Sequence, residues 1–152
     1  MRISLKVVIC GVVLIAMGGL AFAGFAKPEE AIRYRKAVMT VIGEHFGRIA
    51  AVVKEKVPYD KKNVEHDAMV IETMAGLPWE AVMSPGSDEG DTTLKAKAMQ
   101  EKDKFMAVAR QFESATQKLA ETAKKGDLAA LKAQFGEVAG SCKTCHSTYR
   151  NK

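Results

Sequence analysis

The chain has 152 residues, with 23 Lys and Arg against 18 Asp and Glu and a formal net charge of +5. Its cations are scattered among acids rather than clustered with aromatics, which excludes an evident nucleic-acid surface. The length suits one domain with one core.

Met1-Arg2 and Lys6 precede an uncharged run of 20 residues from Val7 to Ala26, with small residues at Ala21-Phe22-Ala23. This is the pattern of a secretory signal peptide, so residues 1–23 are expected to be removed and 24–152 to form the mature domain. The run is also long enough to span a bilayer, which leaves an uncleaved anchor as the alternative. Gly11, Gly18, Gly19 and Gly24 and the cleavage site favour removal, and Cys10 departs with the segment. The expected product is a periplasmic chain with no membrane association after cleavage. It keeps only two cysteines, Cys142 and Cys145, which close too small a loop to act as a disulfide framework.

Four helical segments follow. From Pro28 to Lys56, Met39, Ile42, Phe46, Ile49 and Val53 recur at helical spacing, and Pro28-Glu29-Glu30 makes a good start. Val57-Pro58-Tyr59-Asp60 breaks this helix. A second carries Val64, Ala68, Ile71 and Ala75 and ends near Gly76-Leu77-Pro78. Residues 77–92 read as the one long connection and hold the only tryptophan, Trp79. A third helix is expected on the seam Leu94, Ala98, Phe105, Val108, Phe112, Ala115 and Leu119. Lys124-Lys125-Gly126-Asp127 then gives a C-cap followed by an N-cap. The fourth seam is Leu128, Leu131, Phe135, Val138, Cys142, Cys145 and Tyr149, which sets both cysteines on the core side. The fold class predicted is all-α, an antiparallel up-down-up-down four-helix bundle.

Cys142-Lys143-Thr144-Cys145-His146 has the C-x-x-C-H spacing of covalent haem c attachment. Two thiols one turn apart match the two vinyl groups on one porphyrin edge, and His146 follows as the iron ligand. A structural zinc site would need a fourth ligand, and the only other histidines are His45 and His66. A dithiol redox pair belongs at the start of a helix after a strand, not near the end of a helical chain. Haem c, one per chain, is therefore favoured.

In an antiparallel bundle the end of the last helix lies beside the start of the first and beside the 77–92 connection. Arg35, Met39 and Trp79 are thus expected to bound the haem pocket. Arg35 continues the seam of Met39 and Ile42, an odd place for a lone charge; it either meets a haem propionate or bends to solvent. Lys36 and Asp91 are candidates for the same rim, with plain surface as the alternative. Arg150, four residues after His146, is placed to lie over the proximal side of the imidazole.

These residues resemble the class II c-type cytochromes, specifically cytochrome c′. The likeness rests on Lys27-Pro28-Glu29, Tyr34-Arg35, His45-Phe46-Gly47-Arg48, Pro58-Tyr59-Asp60, Leu77-Pro78-Trp79, Pro85-Gly86, Ser141 to His146 and Tyr149-Arg150, and covers essentially all of the mature chain. It implies a homodimeric periplasmic bundle with a usually five-coordinate haem. It matches Arg35 to the propionate-side arginine, Met39 to the residue over the distal face of the iron, and Arg150 to the proximal arginine. Val82 stands where the family commonly has an aromatic residue, and Val82 to Pro85 runs one residue longer than usual.

The expected function is periplasmic electron transfer with a redox partner protein, by a non-enzymatic haem protein whose iron also takes a small gas. A nitric oxide or carbon monoxide binding module is the second reading, and a low-spin carrier ligated by Met39 is the alternative form of the first. An enzyme acting on peroxide or nitrogen oxides is the third and weakest, since no distal acid or base such as His stands near Met39. His45 and His66 are poorer sixth ligands, since both lie further from the haem end. A homodimer needs an apolar strip beside the core stripe, for which Val38, Val41, Ala51 and Val52 are the candidates.

Overall fold

The computed structural model describes residues 24–151, so residues 1–23, expected above to be a signal peptide, lie outside it. Four long helices, α1 (Pro28–Val53), α2 (Lys61–Met74), α5 (Lys102–Lys125) and α6 (Leu128–Tyr149), form the antiparallel bundle. Two short ones, α3 (Pro78–Val82) and α4 (Lys97–Gln100), lie in the crossover between α2 and α5.

Of the four long helices, α2 and α6 begin where an aspartate caps a free N–H group, and α1 begins on a proline. Pro28 opens α1 with Glu29 and Glu30 in the first turn. The Asp60 carboxylate accepts from Asn63 N at 3.1 Å at the start of α2, and Asp127 does the same for Ala130 N at 3.0 Å at the start of α6. Gly126, at φ 79°, turns the chain between α5 and α6 in the left-handed conformation that glycine adopts without strain.

The core joins Ile42 and Ile49 of α1, Ile71 of α2, Phe105 and Leu119 of α5, and Leu131 and Val138 of α6. Fully burying each such side chain is worth roughly 1.5–3 kcal/mol. The seams expected for α2 and α6 are the observed ones: Val64, Ala68, Ile71 and Ala75 are all buried, and all seven α6 residues are buried or packed on the core.

Three expectations are corrected. The first helix stops at Val53, because Glu55 takes φ 58° while Lys56 N donates to Ala51 O and Glu55 N to Val52 O. This closes the helix as a Schellman motif, with glutamate where glycine is usual. The 77–92 connection is not all loop: Pro78 starts α3 instead of ending structure. The third long helix begins at Lys102, not Leu94. Leu94 instead forms an antiparallel bridge with Arg150, and the main chain there is claimed by the end of α6, with Lys95 N donating to Tyr149 O and Asn151 N to Thr93 O, both at 2.8 Å.

The proposed dimer strip also changes. Val38 and Val52 are buried core residues, leaving Val41 and Ala51 half-buried. The wide apolar stripe of α1 is turned further round than the Met39 to Val53 spacing implied, which brings Ala31 and Ile32 inside beside Arg35, already on the expected seam. No helix among the described residues is long and apolar enough to cross a membrane.

Candidate functional site

α6 remains regular through Cys142 to His146, so the two thiols and the imidazole project from one side of one helix. Cys142 and Cys145 are unpaired, half-buried and packed against the core. Burial pushes the Cys142 thiol up. Burial, with the neighbouring Cys142, pushes Cys145 to about 11. The His146 imidazole is lowered, first by desolvation and then by the positive charge of Arg150. Both sulfurs are therefore neutral thiols near neutral pH, and the imidazole is uncharged with a lone pair for a metal.

Arg150 does not reach His146 as the next turn of a helix. α6 ends at Tyr149, and Arg150 is extended, at φ −119° and ψ 136°, with Nε donating to Thr93 Oγ1 at 3.1 Å. Its charge nevertheless acts on His146 from this anchored position.

The facing helix is aligned by Phe46 and Phe135, whose rings stack with centroids 4.3 Å apart and planes 8° apart. Met39 lies two turns before Phe46 and Cys142 two turns after Phe135. In antiparallel helices both then stand about 10 Å from the stack, at the same height. Met39 is half-buried against the core.

Arg35 is buried, with 7% of its surface exposed, so it does not bend to solvent. Its Nη2 donates to Ser87 O at 2.9 Å and to Thr92 Oγ1 at 2.7 Å, and Nη1 donates to Ala81 O at 3.4 Å. Desolvation lowers its affinity for the proton, and the charge of Asp88 opposes this. The guanidinium thereby pins the crossover to α1. Beside it, Lys36 and Asp91 form an ion pair at 2.7 Å on the exposed rim.

Trp79 is buried edge-on against Phe105 and Phe112, at 5.8 and 6.1 Å. Phe105 in turn packs edge-on against Tyr149, 5.2 Å away at the end of α6. The indole Nε1 is buried without a hydrogen-bond partner. A buried N–H left unpaired costs about 1–3 kcal/mol, and a carboxylate ligand would relieve it. Two neutral thiols one turn apart, a neutral imidazole and an unanswered indole donor fit a haem with its propionates.

Sequence reasoning missed Ser87, Thr92 and Thr93, which hold the two arginines. Their only signal is a pair of hydroxyl residues after Gly90-Asp91, a turn pattern too common to single out; Thr92 Oγ1 also accepts from Leu94 N at 3.1 Å. His45 and His66 stand apart from the thiols, on the α1–α2 pair, with His45 bonded to Asp67.

A four-helix bundle with Cys-x-x-Cys-His on the core side of its last helix defines a c-type haem protein of the bundle class. A family profile described as Cytochrome C′ matches residues 30–150. Cytochrome c′ of Alcaligenes xylosoxydans xylosoxydans is 39% identical over 128 residues, covering 84% of this chain and 98% of that protein. The structure of cytochrome c prime from Shewanella frigidimarina superposes with a TM-score of 0.81 at 34% identity, over 84% of this chain and 99% of that one. The nitric oxide complex of a leucine-to-alanine variant of Alcaligenes xylosoxidans cytochrome c prime gives 0.78 at 39%, over 84% and 98%. The chain belongs to the cytochrome c′ family. Its cofactor is covalent haem c.

Proposed function

We propose that this chain is an exported periplasmic haem protein that works in electron transfer with a partner protein, and that its iron keeps an open position for a small gas. When bound, the haem supplies one-electron ferrous–ferric exchange and a coordination position for a diatomic ligand. In this reading Cys142 and Cys145 hold the porphyrin edge, and His146 is the iron ligand. Desolvation first, and then the positive charge of Arg150, favour the unprotonated form of that imidazole. Trp79 donates its free N–H to a propionate. Arg35, Lys36 and Asp91 shape the rim, Arg35 by fixing the crossover and the ion pair by spanning from α1 to it.

The observation that carries the reading is the composition of the facing stretch of α1. From Arg35 to Gly43 it contains no carboxylate and no imidazole, and Met39 is the residue level with Cys142. Such a stretch places no carboxylate or imidazole opposite Cys142 to act as a distal acid or base, which argues against peroxide or nitrogen-oxide turnover. The nitric oxide complex of the Alcaligenes xylosoxidans relative supports the gas-binding part.

Redox titration and ferrous absorption spectra, with and without nitric oxide, test both parts. The reading expects a reversible couple and a five-coordinate ferrous spectrum that changes on adding nitric oxide. Six-coordinate ferrous iron that reverts to five-coordinate in Met39→Leu would establish instead the carrier ligated by Met39. An iron that does not cycle would end the electron-transfer assignment. We also infer a homodimer through the outer side of α1 and α2, where Met69 is 46% exposed; sedimentation at monomer mass would overturn it.

A further inference from the structure

We propose that His45 and His66 form a binding site for a divalent transition metal ion of the zinc or copper kind, separate from the haem site. The chain has three histidines. The two that the haem does not use lie 21 residues apart in sequence, yet the packing of α1 on α2 sets their rings 5.9 Å apart, with planes at 67°. Imidazole is the side chain such ions prefer.

The environment favours a metal over simple ring packing. His45 Nδ1 lies 2.7 Å from Asp67 Oδ1, and this pair is nearly enclosed, with side-chain exposures of 15% and 9%. A carboxylate accepts only from a protonated nitrogen, so in the neutral ring Nδ1 carries the hydrogen and Nε2 the lone pair. A carboxylate that orients a histidine in this way is the usual outer partner of a metal ligand. Arg48 Nη1, 3.5 Å from the same oxygen, holds the carboxylate in place and balances its charge.

The distances permit a shared ion. A metal–nitrogen bond of about 2.0–2.1 Å puts each ring centre about 3.2 Å from the ion, so two rings on one ion are at most about 6.4 Å apart and about 5.2 Å apart at a tetrahedral angle. The observed 5.9 Å lies inside that limit. His66 is exposed and free to close the remaining gap by turning about its side-chain bonds. His66 and Asp67 also line a cleft of about 430 Å³ between α1 and the start of α2, together with Arg48, Asp60 and Asn63, while His45, bonded to Asp67, lies outside that lining. Among the described residues no three His, Cys, Asp or Glu side chains converge, so the ion takes two protein ligands and completes its shell with water from the cleft.

The test is calorimetric titration of the holoprotein with Zn²⁺, in which His146 is already engaged. One ion per chain should bind in the micromolar range. His66→Asn, a change at an exposed position, should weaken binding at least tenfold while leaving the absorption spectrum and thermal midpoint of the metal-free protein unchanged. His45→Gln should weaken it similarly. With Cu²⁺ in place of Zn²⁺, paramagnetic resonance should show nitrogen coupling that is lost in His66→Asn. Zinc binding that is absent, or equally strong in His66→Asn, overturns the proposal.

Discussion

Phe46 and Phe135 lie face to face, 4.3 Å between ring centres and 8° from parallel, and they fix how far along α1 the attachment residues of α6 fall. Both are half-buried. Phe135→Ala should therefore cost about 2 kcal/mol in denaturant unfolding of the holoprotein, less than the 3–5 of a fully enclosed ring. A double-mutant cycle with Phe46→Ala should give a coupling of about 1 kcal/mol. Strict additivity would show that the stack does not set the alignment.

Arg35 should behave as the peg of the crossover. Arg35→Gln leaves the Ser87 and Thr92 acceptors short of donors and should destabilise the protein by roughly 2–3 kcal/mol. Thr92→Val should cost about 1 kcal/mol. The two should share a signature: faster amide exchange across residues 81–92, with α5 unchanged. Exchange that rises evenly over the whole bundle would contradict the assignment.

Gly86 is constrained twice. Its φ of +75° suits glycine, and a methyl group there would sit 3.1 Å from Pro28 Cγ. Gly86→Ala should lower stability by about 1–2 kcal/mol. Gly90, also left-handed but with open space around it, should cost less on the same substitution. Equal losses at both positions would remove the Pro28 contact as a factor.

The attachment residues should show their environment in chain produced without haem maturation. The Cys145 thiol, pushed up to about 11, should be alkylated slowly at neutral pH, with a rate that climbs until the pH reaches that value. The His146 imidazole is held below its ordinary value. Its contribution to stability is then complete above the unfolded value of about 6.5 and is lost as the pH falls toward the folded one. Arg150→Gln removes a repelling charge and should raise the imidazole in an NMR titration; a fall would reverse the role given to Arg150.

The parts of this molecule legible in the sequence were those set by periodicity and by local chemistry. The α6 seam, the Gly126-Asp127 turn and the grouping of Cys142, Cys145 and His146 needed only spacing and capping. The crossover was not legible for the opposite reason. Leu94 fits a helical seam, but its backbone pairs with Arg150, a partner 56 residues away that no local pattern announces. Arg35 was singled out correctly as an odd charge on an apolar stripe, while its partners Ser87 and Thr92 come from a turn whose shape depends on the rest of the fold. On α1 the spacing gave the helix but misjudged which way it is rotated, because Val38 and Met39 are equally apolar and only packing decides between them.

The stacked phenylalanines divide the bundle lengthwise into two compartments. Thiols and Met39 occupy one, two turns to one side, and the α1–α2 turn with its cleft occupies the other. Free energies of changes separated by more than about 7–10 Å generally add. Alterations around Tyr59 or Asn63 should accordingly leave the colour and potential of the protein untouched, so the two ends are free to diversify independently.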